Sequence, residues 1–323
     1  MATFPTQRIS VVVPCFNEED AFPFLRDALV ALHDRFASRY DFEVILVDDG
    51  SRDGTWDAIR AFAEVCPWVR GVTLSRNFGH QAALTCGYEL AAGDAVVCLD
   101  ADLQDPPEVI DEMVAAWEDG ADVVYAVRRQ RAGESRFKLL TAAMFYRLMR
   151  LMGAKQLRLD SGDFRLMSRR SLDALLRMPE KHRFIRGMVG WVGFKTADVT
   201  YDRKARIAGV TKYPLRKMLK LASDAIVSFS TVPLRLPYYF ALLLTVGSSL
   251  YILSRAVLHA MNGTEFVPGW PSLMLAVITF GCLNLISLGV MGEYIGRIYE
   301  QVKDRPVFLV RESVGLDVRE QPK

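Results

Sequence analysis

The chain has 323 residues, 24% of them charged and 51% hydrophobic, and a formal net charge of +2. It is long enough for one catalytic domain plus an appendage, and its near-neutral charge gives no support for a nucleic-acid partner. Five scattered cysteines (Cys15, Cys66, Cys86, Cys98, Cys282) with no CxxC pair argue against a disulfide framework and a zinc site, and fit a reducing compartment.

Met1 to Arg8 carries no signal-peptide pattern and runs straight into a strand-like segment, which predicts a cytoplasmic first domain. Short β-rich runs then alternate with helical stretches. Ile9–Val13, Glu43–Val47, Gly71–Leu74 and Ala95–Leu99 have strand length and composition; Asp20–Arg39, Asp53–Cys66 and Gly79–Ala92 have helical periodicity. This alternation predicts an α/β domain with a Rossmann-like, mostly parallel sheet, helices on both faces and ligands at the carboxyl ends of the strands. Asn17 and Glu18 follow the first strand, Asp48 and Asp49 end the second, and Asp100 and Asp102 end the fourth. Asp122–Val127 reads as a further strand.

Beyond it the chain changes character. Phe137–Met152 is almost wholly apolar. Leu215, Met218, Leu219, Ala222, Ala225, Ile226 and Phe229 recur at helical spacing, with Arg216, Lys217 and Lys220 on other faces. A basic amphipathic helix before a membrane span reads as lying in the headgroup layer, and packing on the domain core is the alternative. Pro233 and Pro237 are expected to break it. No charge falls in the 19 residues between Arg235 and Arg255 or the 27 between Glu265 and Glu293, so both stretches can cross a bilayer core of about 30 Å. Arg216, Lys217, Lys220 and Arg235 precede the first span, and Arg297, Lys303, Arg305 and Arg311 follow the second. The positive-inside bias places both termini in the cytoplasm. The expected organisation is a domain over 1–212, an interfacial helix over 213–233, a two-span hairpin over 234–300 (about 236–258 and 270–292) and a cytoplasmic tail over 301–323, polar and loose from Val307 to Lys323.

The most informative segment is Leu99–Pro107. Asp100 and Asp102, spaced i, i+2 at a strand end, repel each other unless a cation sits between them. Such oxygen ligands suit Mg²⁺ or Mn²⁺ bridging to a nucleotide diphosphate and acting as a Lewis acid. Asp105 is read as a cap for the helix after Pro106. Asp48-Asp49-Gly50-Ser51 is either a plain turn or an acceptor of hydrogen bonds from a base or ribose, with Gly50 permitting the tight turn. His33 and His182 read as surface positions.

Val13-Pro14-Cys15-Phe16-Asn17-Glu18-Glu19, Asp48-Asp49-Gly50-Ser51, Ser75-Arg76-Asn77-Phe78-Gly79-His80 and Asp100-Ala101-Asp102-Leu103-Gln104 together resemble the GT-A glycosyltransferases of family 2. More narrowly, the chain resembles the polyprenyl-phosphate glycosyltransferases, the group of dolichol-phosphate mannose synthase and the bactoprenol glucosyl transferases. The resemblance spans essentially the whole chain. It implies an inverting, metal-dependent transfer of a sugar from a nucleotide-sugar to a polyprenyl (undecaprenyl) phosphate at the cytoplasmic face of the inner membrane. UDP-glucose is the favoured donor, with GDP-mannose, UDP-N-acetylglucosamine or an aminopentose donor as alternatives.

By the same resemblance Asp102 and Gln104 hold the metal, with Asp100 supporting metal or nucleotide. Pro14, Asn17, Glu18, Asp48 and Asp49 line the nucleoside pocket. In Asp160-Ser161-Gly162-Asp163-Phe164-Arg165 the acceptor-side acidic residue is Asp163, with Asp160 second. Because a phosphate monoester, with its second pKa near about 6, is largely an anion already, Asp163 acts either as a base or as an orienting and charge-stabilising group. Arg128, Arg131, Arg203, Arg206 and Lys212 are the phosphate-binding candidates, the last three in the loop Asp202–Tyr213. Arg129 and Arg170 read as solvated surface, and His80 as a residue that shapes the fold. Gly292 and Gly296 form a GxxxG face suited to a homo-oligomer. A processive synthase would need a QxxRW signature, and His182–Met188 lacks its Gln and Trp. A non-catalytic nucleotide binder would be expected to have lost an acidic ligand.

Overall fold

A computed structural model describes residues 7–129, 161–202, 230–262 and 269–316. The first unit alternates β1 (Arg8–Cys15), α1 (Phe22–Phe36), β2 (Asp41–Asp48), α2 (Thr55–Val65), β3 (Val69–Leu74), α3 (His80–Leu90), β4 (Ala95–Cys98), α4 (Val109–Glu118) and β5 (Val123–Arg128). There follow β6 (Ser161–Ser168), α5 (Arg169–Leu176), α6 (Ile185–Val192) and β7 (Thr196–Tyr201). The β1, β2 and β4 runs are buried on both faces, as strands sandwiched between helices must be. Helix α2 places Trp56, Ile59, Phe62 and Ala63 on its buried side, the spacing of one helical face.

The sheet order is β7-β5-β6-β4-β1-β2-β3, with β8 (Val310–Val314) outermost beside β3. Pairs β1–β2, β1–β4, β2–β3 and β5–β7 are parallel; β4–β6, β5–β6 and β3–β8 are antiparallel. Chain order reverses on either side of β1, so the carboxyl ends of β1 and β4 flank the crevice where open α/β sheets bind ligands.

One expectation fails here. The tail from Val307 is not loose throughout, because β8 belongs to the main sheet. Val314 fills space that Gly71 leaves open on β3: a Cβ at Gly71 would meet Val314 Cγ1 at 2.8 Å and Ile59 Cγ2 at 2.7 Å. Glu312 accepts a hydrogen bond from Trp56 Nε1 at 3.2 Å. A polar five-residue edge strand carries too little periodicity to stand out in a charged tail.

The second unit contains α7 (Val232–Asn262) and α8 (Trp270–Val302). Pro237 lies inside α7, and Pro233 sits in its first turn, where a missing N–H costs nothing. Val232–Leu258 and Leu273–Val302 are long and apolar enough to cross a membrane, and Leu243, Tyr251, Phe280 and Leu285 point outward. The second helix runs about ten residues past the expected end at 292, carrying Glu293 and Arg297 as an i, i+4 pair. Tyr294 hydroxyl donates to the Ser230 carbonyl at the base of this unit. The interfacial-helix segment up to residue 229 lies outside the described residues.

Candidate active site

Three loops at the carboxyl ends of β1, β2 and β3 are stapled together by the residues singled out in the sequence. Asn17 adopts a positive φ of 54°, which its short amide tolerates. Its N–H donates to Ser51 Oγ at 2.9 Å, and its Oδ1 accepts from Arg52 N at 3.0 Å. Glu18 N donates to Thr55 Oγ1 at 2.9 Å. Asp48 is fully buried and accepts from Ser51 N at 3.0 Å and Thr73 Oγ1 at 2.6 Å, so it braces the turn. Asp49 accepts from Phe78 N at 2.7 Å and Gly79 N at 2.9 Å, binding the β3 loop to the β2 loop. Burial raises the Asp49 carboxyl above its ordinary value, only partly offset by those two N–H groups. Gly50, at φ 68°, is required by the protein itself: a Cβ would sit 2.4 Å from the backbone carbon of Arg76. Pro14 lies within β1, in register with Val47 of β2.

Asp100 follows β4, with Asp102 and Gln104 in the next turn; Gln104 N donates to Asp102 Oδ1 at 3.2 Å. Buried Leu103, at φ 50°, pins this turn. Burial, reinforced by the charges of Asp163, Asp105 and Asp102 against the opposing pull of His80, pushes the Asp100 carboxyl up to about 6. These carboxylates therefore lie near enough to act on one another electrostatically.

Across β4 from β1, strand β6 brings Asp163 to the same end of the sheet. It is 3% exposed and ringed by cations. Arg165 Nη2 donates to Oδ1 at 3.0 Å, Arg186 Nε to Oδ1 at 3.0 Å and Arg186 Nη2 to Oδ2 at 2.8 Å. His80 Nε2 lies 3.2 Å from Oδ2 and 4.0 Å from Asp100 Oδ1. Burial alone would raise the Asp163 carboxyl, but the His80 hydrogen bond and the Arg186 and Arg165 charges hold it well below the usual range. Burial opposes the charge on His80, yet the bond to Asp163 and the Asp100 carboxylate raise its pKa. Ile185 N donates to Gln81 Oε1 at 2.9 Å, tying the first turn of α6 to the residue after His80.

Arg128, at the end of β5, donates from Nε to the Tyr201 hydroxyl at 3.2 Å and lies 3.6 Å from Asp105 Oδ1. Asp105 is thus no helix cap: it is buried and accepts from Tyr201 Oη, while α4 begins four residues later with Glu108 at its N-cap. Arg170 is a surface arginine, as expected, and from there it forks onto buried Asp122. His33 is half-buried and stacked on Trp68 at 4.4 Å. Asp160, Arg131, Arg203, Arg206 and Lys212 lie outside the described residues.

Sequence reasoning overlooked Arg186 and undervalued His80. His80 stands in one of the quoted motifs, and Arg186 stands in the very stretch inspected for a QxxRW signature; only the fold reveals that both close on Asp163. Among the described residues no group of three or more His, Cys, Asp or Glu side chains is arranged to hold a metal unaided. Two carboxylates at the end of β4, with Gln104 beside them, nonetheless fit a hard cation that takes its remaining oxygens from a diphosphate.

Residues 10–176, more than half the chain, match the family model described as glycosyl transferase family 2. An uncharacterized glycosyltransferase of Bacillus subtilis (strain 168) is 45% identical over 95% of this chain and 94% of its own length. The SfII prophage-derived bactoprenol glucosyl transferase of Shigella flexneri is 40% identical over 95% and 98%, respectively. A prophage bactoprenol glucosyl transferase homolog of Escherichia coli (strain K12) is 39% identical over 94% and 98%. Among solved structures, mannosyl-3-phosphoglycerate synthase from Rubrobacter xylanophilus aligns with a TM-score of 0.49 at 19% identity, over 68% of this chain and 72% of that one. With its strand-end carboxylates inside the matched segment and relatives alike over nearly their full length, the chain belongs to glycosyl transferase family 2.

Proposed function

We propose that this glycosyltransferase moves glucose from UDP-glucose to a polyprenyl phosphate, with its catalytic domain and both termini on the cytoplasmic side of the membrane. The observation that carries this reading is the near-full-length similarity to bactoprenol glucosyl transferases at about 40% identity, which includes the two apolar helices. In the reaction one acceptor phosphate oxygen bonds to the sugar's anomeric carbon. The bond from that carbon to the nucleotide's diphosphate breaks, and its electron pair leaves with UDP.

Asn17, Glu18, Asp48 and Asp49 serve as the frame of the nucleoside pocket, and Pro14 lies at its base. Asp102 and Gln104, with Asp100, would hold Mg²⁺ or Mn²⁺. When bound, the cation neutralises charge on the departing diphosphate. Arg128, anchored by Asp105 and Tyr201, supplies positive charge for phosphate. The acceptor arrives as an anion and needs positioning more than deprotonation.

The test is a transfer assay with the purified full-length protein, undecaprenyl phosphate, Mn²⁺ and a panel of nucleotide-sugars, reading lipid-linked sugar. UDP-glucose is expected to give the fastest turnover. Turnover with GDP-mannose or UDP-N-acetylglucosamine and none with UDP-glucose would overturn the sugar assignment.

A further inference from the structure

We infer that Arg186 is the residue that receives the acceptor's phosphate, and that Asp163 serves the reaction by positioning Arg186 instead of taking a proton. This deepens the reading above and rests on it for the identity of the acceptor.

The argument begins with accessibility. Asp163 is 3% exposed, and both its oxygens face cations; Arg186 is 39% exposed and His80 43%. A molecule entering from the carboxyl end of the sheet therefore meets the imidazole and the guanidinium before the carboxylate. Arg165, wholly buried behind Asp163, adds a second fixed positive charge to it. A carboxylate compensated this thoroughly is a weak proton acceptor, and it is well suited to locking a guanidinium in place.

Arg186 is held in two ways. Its Nε and Nη2 fork onto the two oxygens of Asp163 at 3.0 and 2.8 Å. The backbone immediately before it is fixed by Ile185 N donating to Gln81 Oε1. A guanidinium carries five N–H donors in a planar fork, so one edge can hold a carboxylate while another meets a phosphate. Ordering the side chain in advance removes much of the entropic cost of binding an anion.

Sheet order says which anion. The loops that frame the nucleoside pocket follow β1, β2 and β3, on one side of β4. Asp163 on β6 lies on the other side of β4, with Arg128 on β5 one strand further. Asp100 and Asp102 stand between. Arg186 is thus on the far side of the donor's diphosphate from the nucleoside, where the acceptor must approach the sugar.

The experiment compares full-length wild type with Arg186→Gln, Arg186→Lys and Asp163→Asn. In the transfer assay Arg186→Gln is expected to raise the KM for undecaprenyl phosphate about tenfold or more, the cost of one charge-assisted hydrogen bond, with the KM for UDP-glucose within about twofold of wild type. Arg186→Lys is expected to recover part of the loss. Asp163→Asn should show the same acceptor-side signature with an unchanged shape of the pH–rate profile. A second arm needs no turnover: geranyl phosphate should stabilise wild type against heat and not Arg186→Gln, whereas UDP with Mn²⁺ should stabilise both, showing an intact fold and donor site. If UDP-glucose is the wrong donor, the transfer arm fails for wild type while the geranyl phosphate arm still reads Arg186. A raised KM for UDP-glucose with unchanged acceptor KM would assign Arg186 to the donor diphosphate and overturn the proposal. So would equal geranyl phosphate stabilisation of wild type and Arg186→Gln, or an Asp163→Asn enzyme that has lost the basic-side limb of its pH profile with acceptor KM unaltered.

Discussion

The two sides of the site use the same residue type to opposite ends. On the side of β1, β2 and β3, Asp48 and Asp49 are satisfied by neutral donors: backbone N–H groups of Ser51, Phe78 and Gly79 and the Thr73 hydroxyl. On the far side, Asp163 and Asp105 face Arg165, Arg186, His80 and Arg128. The electrostatic result follows. Burial leaves Asp49 raised because dipoles compensate it only in part, whereas full positive charges hold Asp163 down despite equal burial. One half is a frame built from loops, and the other is a charged device; between them stand the carboxylates of Asp100 and Asp102.

The largest effect is expected at that boundary. Asp102→Ala removes one of the two carboxylates at the end of β4, and transfer should fall by about 10³-fold, the upper range for losing one electrostatic contact to the transition state. Equal rates for wild type and variant would sink the catalytic reading of the cluster. Next in size is a stability effect on the charged side. Asp163→Ala strands the wholly buried Arg165 without its carboxylate, and breaking a buried pair in this way costs about 3–5 kcal/mol. Thermal unfolding in detergent should show a marked drop, one that Asp163→Asn reduces by keeping a hydrogen-bonding oxygen in place. On the framing side, Gly50→Ala meets both a positive φ and the Arg76 backbone at 2.4 Å. A loss of about 2–4 kcal/mol is expected, together with weaker stabilisation by UDP.

The framing half was legible because loop chemistry leaves strong local traces. Asp-Asp-Gly-Ser, Asn-Glu-Glu and Asp-Ala-Asp-Leu-Gln each sit at the end of an apolar strand run, so chain position and sheet geometry coincide. The alternating strands and helices from β1 to β5 were visible for the same reason. The charged half is assembled from separated segments: Asp163 on β6, His80 on α3 and Arg186 on α6 meet only because β6 inserts antiparallel between β4 and β5. No spacing rule links positions 80, 163 and 186. Asp105 was misread for a related reason, since an Asp before Pro-Pro has the local look of a cap while its partners are Tyr201 and Arg128. Strand β8 was hidden by its polarity; its identity comes from the space over Gly71, which is a property of β3.

The contrast between the halves also predicts how acid acts on the protein, with the sign fixed by the direction of each shift. Asp163 is held below its unfolded value, so its contribution to stability is fully present above the ordinary carboxylate pKa near about 4 and is lost as the pH falls toward its depressed folded value. Asp49, raised by burial, works the other way: protonation relieves it, and it contributes no acid lability of its own. Wild type should therefore lose thermal stability progressively as the pH falls below about 4, and Asp163→Asn should lose less over the same interval, starting from a lower midpoint. Parallel slopes for the two proteins would mean that the cations around Asp163 give it no acid-labile stabilisation, and the distinction between a dipole-framed and a charge-built half would fail at its strongest point.

The smallest effect is expected furthest from the boundary, at the outer edge of the framing half. Glu312 on β8 accepts from Trp56 Nε1 at 3.2 Å and lies 3.7 Å from Arg60 Nη1, with both charged side chains nearly half exposed. Exposed pairs contribute little, about 0–1 kcal/mol, and one partly exposed hydrogen bond adds about as much again. Glu312→Gln should keep the indole hydrogen bond and shift the melting midpoint by no more than a degree or two in a domain of this size. Val314→Asp places a charge against Gly71 and Ile59 instead, and should cost clearly more. If the two substitutions cost the same, the strand is held to β3 by its backbone ladder alone, and the packing over Gly71 that distinguishes it from a loose tail contributes nothing.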